Sequence, residues 1–332
     1  MKLVESFNDV LQMINAAKER SVLAVNSELI GLYWNIGKYI SDKVNNSDWG
    51  NRIVANLSDY INKNAPETRG FSSQNLWRMK QFYETYVDTP KLSSLLREIS
   101  WTNNLMIFSK AKTNEEREFY LKLTAKEKYT SRELERQIDS GLFERLIISD
   151  RKISSVLREI HPKSIDAFRD NYILDFLSLP KPFSEKDLRK SIIQNLKTFL
   201  LEFGKDFSFV GEEYRVQVGT KDFFVDLLFY HRDLQCLVAF DLKITDFKPE
   251  YLGKMEFYLE SLDRDIKKEH EKPSVGVILC KNKDSKVVEY ALSRSMSPAM
   301  IAKYETELID KNLLEKKLEE FFQLAEKSKT EE

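Results

Sequence analysis

The stretch from Lys221 to Thr245 constrains the fold most, because it holds two apolar segments of strand length that carry isolated charges. Apolar side chains alternate in the second segment, and one face of that strand is expected to carry Cys236, Val238, Phe240, Leu242 and Ile244. The polar triplet His231-Arg232-Asp233 predicts a short turn between the segments. The stretch therefore predicts a two-stranded hairpin within a larger sheet.

Three charged residues, Asp226, Asp241 and Lys243, stand where apolar residues are expected. With a turn at that triplet, Asp226 pairs with Ala239 and lies one diagonal step from Asp241 on the same face, roughly 7–8 Å away along the backbone. Burying such carboxylates without a partner is costly, so a compensating charge is required. Two partners remain open: a divalent metal ion between the carboxylates, or a structural ion pair with Lys243.

Composition limits the classes of protein to which the chain can belong. A length of 332 residues allows two domains, and 42% hydrophobic with 32% charged residues is typical of a globular protein. No apolar run is long enough for a transmembrane helix, so we expect no membrane partner. The first residues lack an apolar signal core, which predicts a cytoplasmic location. Cys236 and Cys280 are predicted to be core residues of strands.

The order of patterns predicts an α+β multidomain protein: an all-α first domain, similar to a helix-turn-helix protein, precedes an αβββαβ domain with a mixed sheet. The breaks in pattern predict four segments: a helical domain at 1–150, a linker at 151–182, the mixed α/β domain at 183–304, and an amphipathic helix with a disordered tail at 305–332.

In the helical domain, a turn precedes a helix that Ser72 or Ser73 caps, and Arg78 and Lys80 lie off its apolar stripe. Helix, turn and capped helix with basic residues is the plan of a helix-turn-helix DNA reader. A second, weaker pair places Arg132 on a similar face. The alternative is an ordinary helical bundle with a solvated face. Because the net charge is −1, nucleic acid would have to bind through local patches.

The charged residues of the hairpin have the chemistry that metal-dependent phosphodiester cleavage requires. Asp226 and Asp241 offer hard oxygen ligands for Mg²⁺ or Mn²⁺, and the Leu242 carbonyl could add a third. The metal would generate hydroxide and neutralise charge on the phosphate. Lys243 could hold or deprotonate the attacking water, or stabilise the transition state. On spacing alone, a structural ion pair remains an equal alternative.

The chain resembles the PD-(D/E)XK nuclease superfamily, and more closely its YhcG-type family. The second half carries this resemblance in FVGEEYRVQVGTKDFFVDLLFYHRDLQCLVAFDLKITDFKPEYLGKMEFYLESLD and PSVGVILCK. The first half carries it in VNSELIGLYWNIGKYI, GFSSQNLWRMKQFYETY and EEREFYLKLTAKEKYTSRELERQI. The resemblance implies a Mg²⁺-dependent, restriction-endonuclease-like fold. It assigns catalytic roles to Asp226, Asp241 and Lys243.

The chain departs from the family pattern at four positions. Asp241 replaces a usual Glu, Gln194 also replaces a Glu, Lys254 replaces a Gln, and Asn103 replaces a His. Lys254 and Tyr258 share a helical face, from which both could contact a phosphate.

Three hypotheses follow. The first is a Mg²⁺-dependent nuclease acting on DNA, whose helical domain binds DNA or forms a homodimer, with Arg78, Lys80 and Arg132 as candidate phosphate contacts. The second is a nuclease fold that binds nucleic acid without cleaving it. The third is a helical scaffold or partner-binding protein in which Asp226 and Lys243 form a structural pair.

Overall fold

The computed structural model describes residues 2–45, 51–67, 69–149, 152–204 and 206–330. Its contacts divide the chain into two units, Met1–Ile138 and Asp139–Glu332. The division falls twelve residues before the predicted end of the helical domain at 150. Among the described residues, every helix is too short or too polar to cross a membrane.

The first unit is helical, as predicted. Its elements are α1 (Lys2–Asn45), α2 (Asn51–Asn64), α3 (Ser73–Tyr86), a 3-10 turn (Pro90–Leu92), α4 (Ser93–Glu98), α5 (Trp101–Lys110), α6 (Asn114–Glu127) and α7 (Ser131–Asp139). Helix α1 runs for 44 residues without interruption. Trp49 and Gly50, which we expected to precede α2, lie outside the described residues.

The capped helix α3 forms as its sequence predicts. Ser72 has an extended backbone, and its side chain accepts a hydrogen bond from the Asn75 N–H, which satisfies one of the free donors of the first turn. The buried stripe of α3 consists of Leu76, Met79, Phe82 and Tyr86. Tyr83, predicted to belong to that stripe, is only half-buried. In the second helical pair, Thr130 caps α7 in place of the predicted Ser131.

The second unit is built on a six-stranded sheet. Its elements are α8 (Leu142–Ile148), α9 (Ser155–Ile160), α10 (Ser164–Ala167), β1 (Asn171–Ile173), α11 (Glu185–Gln194), α12 (Leu196–Phe203), β2 (Phe207–Val218), β3 (Lys221–His231), β4 (Cys236–Leu242), α13 (Glu250–Asp265), β5 (Lys272–Cys280), α14 (Ser285–Ser293), β6 (Ala299–Glu305) and α15 (Lys311–Thr330). The strand order is β1-β6-β5-β4-β3-β2. The pairs β2–β3 and β3–β4 are antiparallel and the other pairs parallel. This confirms a mixed sheet with the order αβββαβ from α12 to β5, and α11 precedes it as an additional helix.

Both faces of the sheet are covered, and β4 contributes to both. One core contains Cys236, Val238, Phe240 and Leu242 of β4, packed with α11 and α12. The opposite core contains Leu237 and Ala239, packed with α13 and α14. The alternation predicted for this strand is therefore confirmed, and Asp241 belongs to the face that α13 covers. Cys236 and Cys280 are buried free thiols, as expected for core residues.

The segment predicted as a linker, 151–182, is part of the sheet unit. In its described part, 152–182, β1 pairs in parallel with β6, and Leu157, Phe168 and Tyr172 are buried in the core beside the sheet. The prolines in this stretch prevent a long helix but do not prevent burial. Neither β1 nor β6 was predicted, because a three-residue strand and a buried strand have no diagnostic period.

The last helix begins later than the sequence suggested. We expected it to start at Glu305, but that residue ends β6 and the helix starts at Lys311. It continues to Thr330, so the tail predicted as disordered from 326 is helical as far as it is described. Leu314 is buried against α8, where Gly141 has a φ of 62° and a Cβ would come within 2.6 Å of its side chain.

The packing of the segment predicted as a linker indicates that stability depends on pH. His161 is buried, and its Nε2 lies 2.9 Å from the Pro273 carbonyl oxygen of β5. Burial lowers the pKa of His161, although the contact with Pro273 raises it in part. The buried neutral imidazole therefore contributes its full share to the stability of the fold above the unfolded-state pKa of about 6.5. That stabilisation is lost as the pH falls from there toward the lower pKa of the folded state. We expect the stability difference between wild type and His161→Gln to shrink as the pH falls from neutral, measured by calorimetry.

The exposed His270 provides the control for this experiment. His270→Gln should change stability by less than about 0.5 kcal/mol, because it replaces a side chain on the surface. A pH-independent difference for His161→Gln would contradict the prediction.

Candidate active site

The two carboxylates of the hairpin lie on neighbouring strands. The register pairs Leu227 with Phe240 and Leu228 with Ala239, and the pairing ends at Leu227. The predicted pairing of Asp226 with Ala239 is therefore wrong by two residues.

Helices on opposite faces of the sheet reach the two carboxylates. Asp226 contacts Arg189 of α11, which packs on one core, and Asp241 contacts Lys254 of α13, which packs on the other. That both carboxylates share one face stays a prediction.

The register differs because the loop is longer than the predicted triplet. His231 pairs with Cys236, which leaves the four residues 232–235 in the loop. Gln235 adopts a left-handed conformation (φ 57°), and its N–H donates to the His231 carbonyl at 2.8 Å. The Leu234 N–H donates to His231 Nδ1 at 3.2 Å, so this histidine stabilises the loop.

Asp226 stands where the ladder between β3 and β4 opens. The last strand pair is Leu227–Phe240, and beyond it the Leu242 N–H donates to Asp226 Oδ2 at 2.8 Å. On its other side Leu242 remains paired with Leu279 of β5. The carboxylate thus replaces a backbone acceptor at the sheet opening, which fixes its orientation.

Asp241 is held between two ammonium groups. Its side chain is 1% exposed, its Oδ1 accepts a hydrogen bond from Lys254 Nζ at 2.9 Å, and its Oδ2 lies 2.8 Å from Lys243 Nζ. The Oδ2 contact is an ion pair outside hydrogen-bond geometry, so this buried oxygen accepts no hydrogen bond from the described residues. Lys243 Nζ instead donates to the Leu242 carbonyl at 3.1 Å. An unpaired charge here would be costly, so both cations stabilise the buried carboxylate.

Arg189, on α11, is a site residue that the sequence interpretation missed. Its Nη1 lies 3.2 Å from Asp226 Oδ1, and its Nη2 lies 2.6 Å from Glu213 Oε1. It is buried between Leu188 and Ile192 on a capped helix. A basic residue within the apolar side of an amphipathic helix was the available signal.

Glu213 faces Asp226 from the other neighbouring strand. The pairs Glu212–Leu227 and Tyr214–Val225 flank it, yet Glu213 has a left-handed backbone with φ 42°. That conformation is strained for a residue other than glycine. Its carboxylate pairs with Arg189, although the Glu213 side chain is 60% exposed.

The acidic residue that α11 brings to the site is Glu185, not a residue at position 194, where the family usually has a Glu. Gln194 is exposed at the end of the helix, whereas Glu185, in its first turn, lies 3.8 Å from Lys243 Nζ. Asn103, the other departure from the family pattern, is buried in the first unit. It donates to the Tyr129 carbonyl at 2.9 Å and accepts from the Ser131 hydroxyl at 2.8 Å, which is a structural role.

The charges of the site change the acidity of two of its members. Burial raises the pKa of Asp226, and the charge of Asp241 adds to the rise, while the Leu242 N–H and two lysines oppose it. Partial burial lowers the pKa of Lys254, but the hydrogen bond and charge of Asp241 outweigh it, so the pKa is raised. Lys254 therefore remains an ammonium at neutral pH.

The residues predicted to contact phosphate differ in whether their polar groups already have partners within the protein. The Tyr258 hydroxyl donates to the Phe224 carbonyl at 2.6 Å and is committed to the fold, while Lys254 keeps an exposed surface. In the first unit Lys80 pairs with Glu84 at 2.6 Å. Arg78 and Arg132 are exposed, and within the described part of the chain neither makes an ion pair.

The donor set is compatible with Mg²⁺ or Mn²⁺. Within the described residues there is no cluster of three or more His, Cys, Asp or Glu side chains suited to hold a metal ion. Mg²⁺ does not need one, because it usually keeps several waters and binds through one or two carboxylates. Asp226 and Asp241 supply those carboxylates, and Asp241 Oδ2 is a buried oxygen with an unused hydrogen-bonding position. These two residues would hold the ion, with the Leu242 carbonyl beside them.

Comparison with known sequences covers most of the chain. Residues 165–319 match the family described as YhcG PDDEXK nuclease domain, and residues 9–145 match the DUF1016 N-terminal domain. A curated Escherichia coli (strain K12) protein named "Putative nuclease YhcG" is 28% identical over 341 aligned residues, which cover 92% of this chain and 90% of that protein. The resemblance seen in the sequence is confirmed.

Two solved structures show a partial likeness. A repair endonuclease from Pyrococcus abyssi is 20% identical, with a TM-score of 0.26, over 37% of this chain and 47% of that one. An EndoMS–dsDNA2 complex is 18% identical, with a TM-score of 0.27, over 37% of this chain and 45% of that one. Each match spans less than half of the other chain, and TM-scores this low add nothing to the assignment.

The buried pair predicts a measurable energetic coupling. Asp241→Ala should cost about 3–5 kcal/mol, because it leaves the buried Lys243 without its carboxylate. Adding Lys243→Met should recover part of that loss, so that the two changes are not additive. All four tryptophans lie in the first unit, at positions 34, 49, 77 and 101, so their fluorescence does not follow this sheet. Hydrogen exchange of β4 and β5 amides is the suitable measurement.

Lys248, which is exposed, supplies the control: Lys248→Met should change stability by less than about 0.5 kcal/mol. Additive losses for Asp241→Ala and Lys243→Met would show that the two side chains are not coupled.

Proposed function

We propose, from the membership of residues 165–319 in the YhcG PDDEXK nuclease domain family, that this protein is a metal-dependent nuclease that hydrolyses phosphodiester bonds in DNA. The observation that carries the proposal is the arrangement of Asp226 and Asp241 on facing strands, with Lys243 at the buried carboxylate. Mg²⁺ is the proposed ion, with Mn²⁺ as a substitute, and the proposed location is the cytoplasm.

The bound ion would supply Lewis-acid activation of water and neutralise charge on the phosphate. Asp226 and Asp241 would hold it. The hydrogen bond from Leu242 N–H and the contact with Arg189 fix the orientation of Asp226. Lys243 Nζ lies 2.8 Å from Asp241 and 3.8 Å from Glu185, where it can orient the attacking water or stabilise negative charge on the phosphate.

The first unit is proposed to bind DNA or to form a homodimer. Its α2–turn–α3 segment supports a helix-turn-helix role, with Arg78 and Arg132 as phosphate contacts. Lys80 is the weaker candidate because Glu84 already neutralises it.

A second candidate is a protein that binds nucleic acid on this fold without cleaving it. One observation favours it: a lysine contacts each oxygen of Asp241, and Arg189 contacts Asp226. If these ion pairs persist with substrate bound, the carboxylates are not available to a metal ion.

A cleavage assay tests the nuclease proposal. Wild type is incubated with plasmid, branched DNA and single-stranded RNA in Mg²⁺ or Mn²⁺, beside Asp226→Asn, Asp241→Asn and Lys243→Met. We expect wild type to cleave DNA and each variant to lose roughly 100-fold or more in rate, because each removes a metal ligand or a charge that stabilises the transition state.

Lys248→Met is the matched control, since it removes an exposed lysine outside this cluster and should cleave like wild type. DNA retardation that falls steeply with salt, without cleavage, would favour the binding protein. Absence of both cleavage and DNA binding would favour the third hypothesis, a helical scaffold or partner-binding protein.

Binding by the first unit makes a separate prediction. Arg78→Gln and Arg132→Gln should each reduce the slope of log K against log salt by about 0.9, which corresponds to one phosphate contact. Lys80→Gln, which breaks an existing ion pair, should change the slope less. Slopes are measured by fluorescence anisotropy on duplex DNA, with Ca²⁺ in place of Mg²⁺. Unchanged slopes for both arginine variants would exclude these phosphate contacts.

A further inference from the structure

Lys254 is the solvent-side partner of the buried carboxylate. Two ammonium groups contact Asp241, and they differ in exposure: the Lys254 side chain is 45% exposed and that of Lys243 is 9% exposed. Lys254 extends from α13 over the ring of Tyr258, at 5.2 Å from its centroid. The outer oxygen of Asp241, Oδ1, therefore already has a cation on its accessible side.

The two lysines are also held differently. Lys243 Nζ has a second hydrogen-bond acceptor in the Leu242 carbonyl, and Tyr251 covers it at 5.2 Å. The hydrogen bond of Lys254 to Asp241 is charge-assisted, and its ammonium also interacts with the ring and the hydroxyl of Tyr258. Because 45% of its side chain is exposed, against 9% for Lys243, Lys254 can rotate into solvent more easily than Lys243.

A divalent ion bound to Asp241 would compete electrostatically with the Lys254 ammonium. Lys254 Nζ lies 2.9 Å from Asp241 Oδ1, and an ion on either oxygen of this carboxylate would lie close to that ammonium. Two positive charges that close in a partly buried site repel strongly. Binding of the ion is therefore weakened unless Lys254 moves away.

We propose that Lys254 is a resident cation that neutralises Asp241 and weakens metal binding there by electrostatic competition. The proposal rests on the proposed function, because it concerns the same carboxylates. Without metal, Lys254 balances the charge of Asp241. Its competition with the ion then raises the metal concentration that is needed to fill the site.

Binding of Mn²⁺ to the full chain without nucleic acid tests the proposal, with free Mn²⁺ followed by electron paramagnetic resonance. Lys254→Met keeps the length of the side chain and removes its charge, so we expect a dissociation constant lower by about tenfold or more. Lys254→Gln should also lower the dissociation constant, so the result does not depend on a single variant that could be misfolded. Lys254→Arg and Lys248→Met should bind like wild type.

The double variant Asp241→Asn with Lys254→Met should lose the tight site, which locates it at Asp241. Equal affinity of wild type, Lys254→Met and Lys254→Gln would overturn the proposal while leaving the nuclease intact, as would an equal gain from Lys254→Arg or Lys248→Met. If no variant binds Mn²⁺, including Lys254→Met, the metal-dependent function fails and this inference fails with it.

Discussion

The ionised carboxylate of Asp241, buried on the sheet, is the constraint on which the site depends. A side chain that is 1% exposed cannot keep its charge without partners, and the structure supplies Lys243 from the same strand and Lys254 from α13. Each partner must in turn be positioned by packing. Helix α13 is held by Met255 and Leu259 against the sheet, and Tyr258 ties it to the Phe224 carbonyl of β3. These contacts fix α13 on the sheet, so that Lys254 is held beside Asp241.

The second carboxylate depends on an opening in the sheet. If the pairing of β3 with β4 continued, the Leu242 N–H would have no need of a side-chain acceptor. Because the pairing ends at Leu227, Asp226 takes that donor, and Arg189 takes its other oxygen. Three elements, β3, β4 and α11, therefore meet at one carboxylate. A site built on such rigid elements holds its geometry better than one built on loops.

The sequence predicted the alternation along β4, and missed the features that depend on tertiary packing. The apolar residues of β4 divide between the two cores as their alternation predicts, but the register with β3 was wrong by two residues. Loop length was not predictable, since the two extra residues include Gln235, which adopts a positive φ. Arg189 is 37 positions before Asp226, and no local period connects them. The strands β1 and β6 were missed because pairing with neighbours, not internal pattern, defines them.

The balance of charge at the site links stability to the proposed chemistry. Four carboxylates (Glu185, Glu213, Asp226 and Asp241) face three cations (Arg189, Lys243 and Lys254). With metal absent, the cluster is nearly neutral and the fold tolerates it. Burial raises the pKa of Asp226, and the charge of Asp241 adds to that rise. A divalent ion would bring positive charge to both carboxylates, and at Asp241 it would replace charge that Lys254 already supplies. The excess of one negative charge in the cluster thus favours a divalent ion, while the existing ion pair between Lys254 and Asp241 opposes it.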